Sequence, residues 1–205
     1  MRLVPDLHRD HNAHYRRLLL RALPDGCERV LEVGCGAGDL AVVLAGRAAA
    51  VDAVDRSPEM VALAPARLPG TVRVVEADVL TLQLPAGHYD AVVGMSVLHH
   101  LPLEEALHTL AAAVRPGGVL AMVALPRTEL TRDLPVEALA AVLERVVGIG
   151  RLVRGRRDGG TPGMPVRDPA LTTREVRVRA RAVLPGVRVR RLLFWRYSLV
   201  WRRPG

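Results

Sequence analysis

Val30-Leu31-Glu32-Val33-Gly34-Cys35-Gly36-Ala37-Gly38 is the stretch that decides how this chain folds. Arg29–Val33 is short and apolar, the pattern of a buried strand, and it runs directly into closely spaced glycines. Asp39 then opens a run whose apolar spacing predicts a helix over 39–47. Strand, glycine turn and helix in that order form a nucleotide-handling arrangement. Glycine lets the backbone turn sharply and lets a ligand come close, and a helix N-terminus offers free N–H groups.

The alternation continues outward from this turn. Downstream, Ala49–Val54 reads as a second strand ending at Asp55, and Ser57-Pro58-Glu59 opens a helix with proline in its first turn. Val72–Glu76 is a third strand. Tyr89–Met95 is a fourth, apolar almost throughout, as a strand covered on both faces should be. Leu103–Val114 is helical, Arg115-Pro116-Gly117-Gly118 is a turn, and Val119–Leu125 is a fifth strand. Upstream, residues 6–22 have the spacing of an amphipathic helix closed by Pro24-Asp25-Gly26. Strands alternating with helices predict a mainly parallel sheet with right-handed crossovers.

The last third departs from that rhythm. Val136–Val147 reads as a helix, and residues 148–170 as a loop rich in Gly, Arg and Pro. Thr172-x-x-Glu175 is a capping box opening a helix to about Val183. Val187–Phe194 and Tyr197–Arg202 are strands separated only by Trp195-Arg196, a connection so tight that the two must be antiparallel neighbours. No linker divides the chain, so residues 1–205 are expected to form one domain. Residues 1–25 would supply a cap helix, and 126–171 an acceptor-binding insertion or lid.

Composition narrows the class. Half of the 205 residues are apolar, enough for a full core, and no apolar run approaches the roughly 18–20 residues of a membrane span. Two cysteines, Cys27 and Cys35, make neither a disulfide framework nor a metal cluster, and with no signal-peptide pattern at the start they fit a cytoplasmic protein. The +8 charge is polarised. Residues 1–144 hold 13 Arg and 18 acids, a net of −5, whereas 145–205 hold 16 Arg and 3 acids, a net of +13. Such a basic segment either meets an anionic partner or is a solvated arginine surface. The absence of lysine favours compositional bias over selection for charge.

Asp55 lies 21 residues after Gly34, at the end of the next strand, where a carboxylate can accept hydrogen bonds from ribose hydroxyls. A dinucleotide site would carry its third glycine at position 39, but Asp39 stands there, and its charge would repel a pyrophosphate. A P-loop needs Gly-Lys-Ser or Gly-Lys-Thr, impossible without lysine. A ligand with ribose and adenine but no phosphate remains, and S-adenosylmethionine is the obvious one.

Here the chain resembles class I S-adenosylmethionine-dependent methyltransferases. Val30–Gly38 looks like the family's first motif, and Asp55 like its ribose-binding acid. Glu76-Ala77-Asp78 resembles the segment after the third strand, whose acid meets the adenine amino group. The run Tyr89-Asp90-Ala91-Val92-Val93-Gly94-Met95-Ser96-Val97-Leu98-His99-His100-Leu101 resembles the fourth-strand motif, and Arg115-Pro116-Gly117-Gly118 the turn before the fifth. The resemblance implies an α/β fold: a Rossmann-like, doubly wound, seven-stranded sheet, mainly parallel with an antiparallel last strand.

It also implies roles. Gly34, Cys35, Gly36 and Gly38 would form the turn against the methionine part and ribose, with Glu32 bracing it. Asp55 would take the ribose, Arg56 or Met60 would lie by the adenine, Asp78 and Val79 would fix its edge, and Met95 would complete the cofactor site. Cys35 reads as a small turn residue rather than a nucleophile.

Methyl transfer from a sulfonium needs positioning, desolvation and, for a hydroxyl acceptor, removal of a proton. His99 and His100, beyond the fourth strand, are the candidate catalytic bases, and His99 also a candidate acceptor contact. The alternative is that one caps the next helix while the other lines the pocket. His11, His14 and Tyr15 on the first helix are candidate acceptor contacts, and Tyr15 is also a candidate for the cofactor carboxylate; an ordinary amphipathic helix explains the same pattern. Asp90 starts the fourth strand, away from its catalytic end, and no carboxylate cluster accompanies it, so the chemistry is expected to be metal-independent.

The leading expectation is therefore a methyltransferase acting on oxygen or nitrogen of a small molecule such as a specialised metabolite, as a monomer or homodimer away from membranes. One alternative is an RNA methyltransferase using the basic C-terminal part, although the Asn/Asp-Pro-Pro-Tyr motif of base-amine methylation is missing. Another is a non-methylating cofactor-binding protein or cyclase on the same fold.

Overall fold

The computed structural model describes residues 11–64, 68–128 and 168–205. Helix α1 (His11–Ala22) leads to β1 (Arg29–Val33), α2 (Asp39–Leu44), β2 (Ala50–Asp55), α3 (Pro58–Leu63) and β3 (Val72–Glu76). Then come β4 (Tyr89–Met95), a 3-10 turn at Leu98–His100, α4 (Leu103–Ala113) and β5 (Val114–Ala124). Helix α5 (Thr173–Val183) and the strands β6 (Arg188–Leu192) and β7 (Arg196–Arg202) complete the described elements. The predicted helix at 136–147, the loop up to 167 and residues 6–10 of the first helix lie outside the described residues.

The seven strands form one sheet in the order β3-β2-β1-β4-β5-β7-β6. Strands β1 to β5 are mutually parallel, and β7 runs antiparallel between β5 and β6. Successive side chains of a strand point to opposite faces, and both faces here are covered. Val30, Ala91, Val93, Ala121 and Val123 pack with Leu19, Leu40 and Leu44 on one side. Leu31, Val92, Leu120 and Met122 pack with Leu107, Leu110 and Ala180 on the other. Central β4 is apolar at nearly every position because it lies inside on both faces.

The starts of α3 and α5 follow local chemistry. The Ser57 hydroxyl accepts the Met60 amide hydrogen at 3.3 Å. Thr172 and Glu175 close the predicted capping box, with the Thr172 amide donating to Glu175 Oε2 at 2.8 Å and the Glu175 amide to Thr172 Oγ1 at 3.2 Å.

Three boundaries differ from the sequence reading. Helix α2 stops at Leu44, before Gly46, rather than at 47. The Arg115–Gly118 segment does not precede β5 but bulges out of it: Tyr89 pairs with Val114, and Ala91 already pairs with Val119. Asp90 explains the bulge. Buried, it accepts the Glu28 and Arg29 amide hydrogens at 3.0 and 2.7 Å, and Arg115 swings back to ion-pair with it. The hairpin turn falls at Leu193–Trp195, so Arg196 belongs to β7. Phe194 (φ 56°) and Trp195 (φ 50°) both adopt left-handed backbone there, which costs a non-glycine residue about 1–2 kcal/mol each. Burial of Phe194, 3% exposed, offsets that cost.

Candidate functional site

The glycine turn is held by its backbone. The Gly34 and Cys35 amides both donate to the Val54 carbonyl, at 2.8 and 3.1 Å. Gly34 has φ 69°, and a Cβ there would stand 2.7 Å from Val97 Cβ and Cγ2, so neither the conformation nor the space admits a side chain. Asp55 accepts the Gly36 amide hydrogen at 2.8 Å and that of Ser57 at 2.9 Å, joining the turn to the end of β2.

Above the carboxyl ends of the strands, where ligands of such sheets bind, lies a cavity of ≈ 390 Å³. Its polarity follows the strand order. Over β3, β2 and β1 it is lined by Asp78, Asp55, Glu32 and, at the start of α2, Asp39, with Arg16 and Arg56 among them. Over β4, β5 and β7 it is lined by His99, His100, Leu125 and Arg196, with Asp168 and Pro169 alongside. Strands stand about 4.8 Å apart, so β1 and β7, three spacings apart, are separated by about 14 Å. One end of the cavity thus carries four carboxyls with two arginines, and the other two imidazoles with Arg196 and Asp168.

Among the described residues, Glu32 Oε2 and His99 Nδ1 in its walls find no hydrogen-bond partner. Burial, reinforced by the charges of Asp55 and Asp39, holds the Glu32 carboxyl well above the usual carboxylate range. Burial, with contributions from His100 and Arg196, lowers His99 to about 4, so its imidazole is neutral at physiological pH. The rings of His99 and His100 lie 4.0 Å apart, tilted by 37°. Burial pushes the Cys35 thiol up to about 12, which leaves almost no thiolate to act as a nucleophile.

Of the residues singled out in the sequence, Glu32, Gly34, Cys35, Gly36, Asp55, Arg56, Met60, Asp78, Val79, Met95, His99 and His100 line this one cavity. Gly38 does not. With φ 85° it precedes α2, and its Cα approaches Leu68 so closely that a Cβ would lie 3.0 Å from Leu68 Cδ2. Tyr15 does not line it either: the side chain is buried, and its hydroxyl donates to the Leu193 carbonyl at 2.7 Å. His11 and His14 belong to α1, but their side chains lie outside the described residues. Arg16, Asp168 and Arg196 line the cavity without having been singled out. A signal for Arg196 did exist. An antiparallel strand beside β5 must start at the edge where the parallel strands end.

A methyltransferase-domain family model matches residues 30–118. A Mycobacterium tuberculosis protein, named only as an uncharacterized methyltransferase, is 37% identical over 197 residues, covering 94% of this chain and 96% of that protein. The chain belongs to the methyltransferase family. This methyltransferase is also similar to a ubiquinone biosynthesis O-methyltransferase of Xanthomonas oryzae, 36% identical over 57% of this chain and 52% of the relative. A solved S-adenosylmethionine-dependent methyltransferase from Mesorhizobium loti shares its fold, with a TM-score of 0.63 at 18% identity over 94% of this chain and 99% of that one. The methyltransferase contains no described helix long and apolar enough to cross a membrane. Among the described residues, no three His, Cys, Asp or Glu side chains gather as a metal site requires.

Proposed function

We propose that this methyltransferase acts as one domain and transfers the methyl group of S-adenosylmethionine to oxygen or nitrogen of a small-molecule acceptor. The observation that carries the reading is the one cavity above the carboxyl ends of the strands, with carboxyls over β1–β3 and the imidazoles of His99 and His100 beyond β4. The methyl donor is a cation with adenosine at one side and an amino-acid group at the other. Glu32 Oε2, buried and without a partner among the described residues, supplies an acceptor atom suited to that end. Asp55 offers its remaining lone pairs to ribose hydroxyls, and Met60 and Val79, both buried, give apolar walls for adenine.

When bound, the donor supplies an activated methyl group on sulfur and leaves as a neutral thioether. The chain's own residues orient the acceptor, exclude water and remove a proton. His99, neutral and facing the cavity, takes the proton of a hydroxyl acceptor as the new bond forms, and His100 stacks against it. Cys35 takes no part.

Several arginines of the basic C-terminal part are engaged within the fold. Arg177 donates to the Val189 carbonyl, Arg203 to the Val114 carbonyl, and Arg179 pairs with Glu104. These contacts favour a small acceptor over RNA. The test is turnover of methyl-labelled S-adenosylmethionine against a panel of phenols, amines and transfer RNA. Label in a phenol or amine supports the reading; label in RNA alone, or in no acceptor, overturns it.

A further inference from the structure

We propose that Val97 is a positioning residue for methyl transfer: its isopropyl group, seated in a slot left by Gly34 and Gly94, fixes the turn that carries His99 relative to the glycine turn. The inference rests on the methyl-transfer reading above, with His99 as the base, and goes beyond it by naming what holds that base in place.

The slot is the first support. A Cβ on Gly34 would stand 2.7 Å from Val97 Cβ and Cγ2, and a Cβ on Gly94 would stand 2.8 Å from Val97 Cγ1. Glycine inside a strand weakens it and marks a close approach of other atoms. Gly94 is such a residue, buried in β4 and paired with Val33 on one side and Met122 on the other. Both glycines thus leave room for the same side chain, one beside each of its methyl groups. A β-branched residue is stiff about χ1, so Val97 fills the slot as a rigid wedge.

The backbone around Val97 is the second support. Ser96 has φ 57°, left-handed backbone that a residue with a side chain keeps only where its surroundings enforce it. Its amide donates to the Val123 carbonyl at 2.7 Å, tying the end of β4 to β5. From there Val97 opens the 3-10 turn at Leu98–His100. Its carbonyl accepts the His100 amide hydrogen at 2.9 Å, and Leu98, 1% exposed, is anchored in the core. His99 lies between these two holds, two residues from the wedge. Val97 and His99 both line the cavity, as do Gly34, Cys35 and Gly36. One side chain therefore touches the glycine turn and begins the turn of the base. Misplacing a reacting group by about 1 Å costs on the order of a hundredfold in rate, so the fit of Val97 bears directly on transfer.

The experiment follows the His99 imidazole by NMR in the full chain, its signal among the seven histidines identified by its loss in His99→Gln. Burial, with His100 and Arg196 acting on the ring, holds wild-type His99 at about 4, so its signal should hardly move between about pH 7 and pH 5. Val97→Ala empties the slot, loosens the turn and lets water reach the ring, and the signal should titrate within that range. Val97→Thr keeps the branched shape and should restore the wild-type behaviour. Val189→Ala, a core truncation three strands away from β4, should lower stability without moving the His99 titration. Saturation with S-adenosylhomocysteine should shift the His99 signal in wild type and in Val97→Thr, and by about half as much or less in Val97→Ala. Either readout unchanged in Val97→Ala overturns the proposal. So does a wild-type His99 that titrates freely in this range, a Val97→Thr that departs as far as Val97→Ala, or a Val189→Ala that moves His99 equally. Failure of wild type to bind S-adenosylhomocysteine, or a His99 signal that ignores it once bound, overturns the methyl-transfer reading instead. The titrations, which need no ligand, then still decide the role of Val97.

Discussion

Asp55 accepts the Gly36 amide hydrogen at 2.8 Å, so the acid that ends β2 braces the glycine turn from across the sheet edge. Its other oxygen accepts from Ser57 at the start of α3. The carboxylate is therefore oriented before a ligand arrives, with lone pairs left over for ribose hydroxyls. Asp55→Ala removes the brace and the ribose contact together. S-adenosylhomocysteine should bind more weakly by roughly 1–3 kcal/mol, measured by titration calorimetry. Unchanged affinity would remove Asp55 from the donor site.

Gly34 and Val97 touch across the gap between β1 and the loop after β4. Gly34→Ala places a methyl group 2.7 Å from two Val97 carbons, in left-handed backbone. Overpacking and backbone strain together should cost on the order of 2–4 kcal/mol in urea unfolding. Val97→Ala in the same chain removes the Cγ2 contact but not the Cβ one, so it should recover part of the steric cost and leave the backbone cost. If the double variant is no more stable than Gly34→Ala, the contact is not the cause.

Burial, reinforced by Asp55 and Asp39, raises the Glu32 carboxyl well above the usual carboxylate range. Its folded pKa lies above its unfolded value, so its stabilising contribution is present at low pH and is lost as pH rises from about 4.5 toward the folded value. Glu32→Gln mimics the neutral acid. It should match wild type near pH 5 and exceed it increasingly as pH rises. Thermal melts across that range that show no widening gap would mean the carboxyl is ionised in the fold.

His99 has the opposite linkage. Its folded pKa of about 4 lies below the ordinary 6.5, so the unfolded chain binds the extra proton between those values. Stability from this residue is full above pH 6.5 and falls as the solution is acidified toward pH 4. Partial exposure reduces the effect to on the order of 1–2 kcal/mol. His99→Gln should flatten that part of the curve in denaturant titrations and slow methyl transfer while sparing S-adenosylhomocysteine binding. A variant with the wild-type rate, and a wild-type slope between pH 4 and 6.5, would remove both assignments.

Much of the architecture was legible because its signals are local. Arg29–Val33, Val72–Glu76 and Tyr89–Met95 are strands in sequence and structure alike, since short apolar runs between turn residues have few other uses. The Thr172–Glu175 cap is readable for the same reason. What could not be read depends on partners distant in the chain. The β5 bulge exists because Asp90 is tied to residues 28, 29 and 115. The Leu193–Trp195 turn carries none of the Gly or Asn that marks left-handed turns. Tyr15 lies on the predicted helix, but its hydroxyl reaches a residue 178 positions away rather than the cavity. Arg196 became a cavity residue only once the strand order was known.

The carboxyl-bearing end of the cavity draws Glu32, Asp39, Asp55 and Asp78 from one continuous run of chain, whereas the other end gathers His99, Leu125, Asp168 and Arg196 from well-separated segments. On the proposed reading, the donor half is one cassette of sequence. The acceptor half is a mosaic whose tiles sit on connections and on a hairpin, the parts of a fold that most readily change length and sequence. Diversification of such an enzyme toward new acceptors can proceed by re-tailoring those connections while the cassette stays untouched.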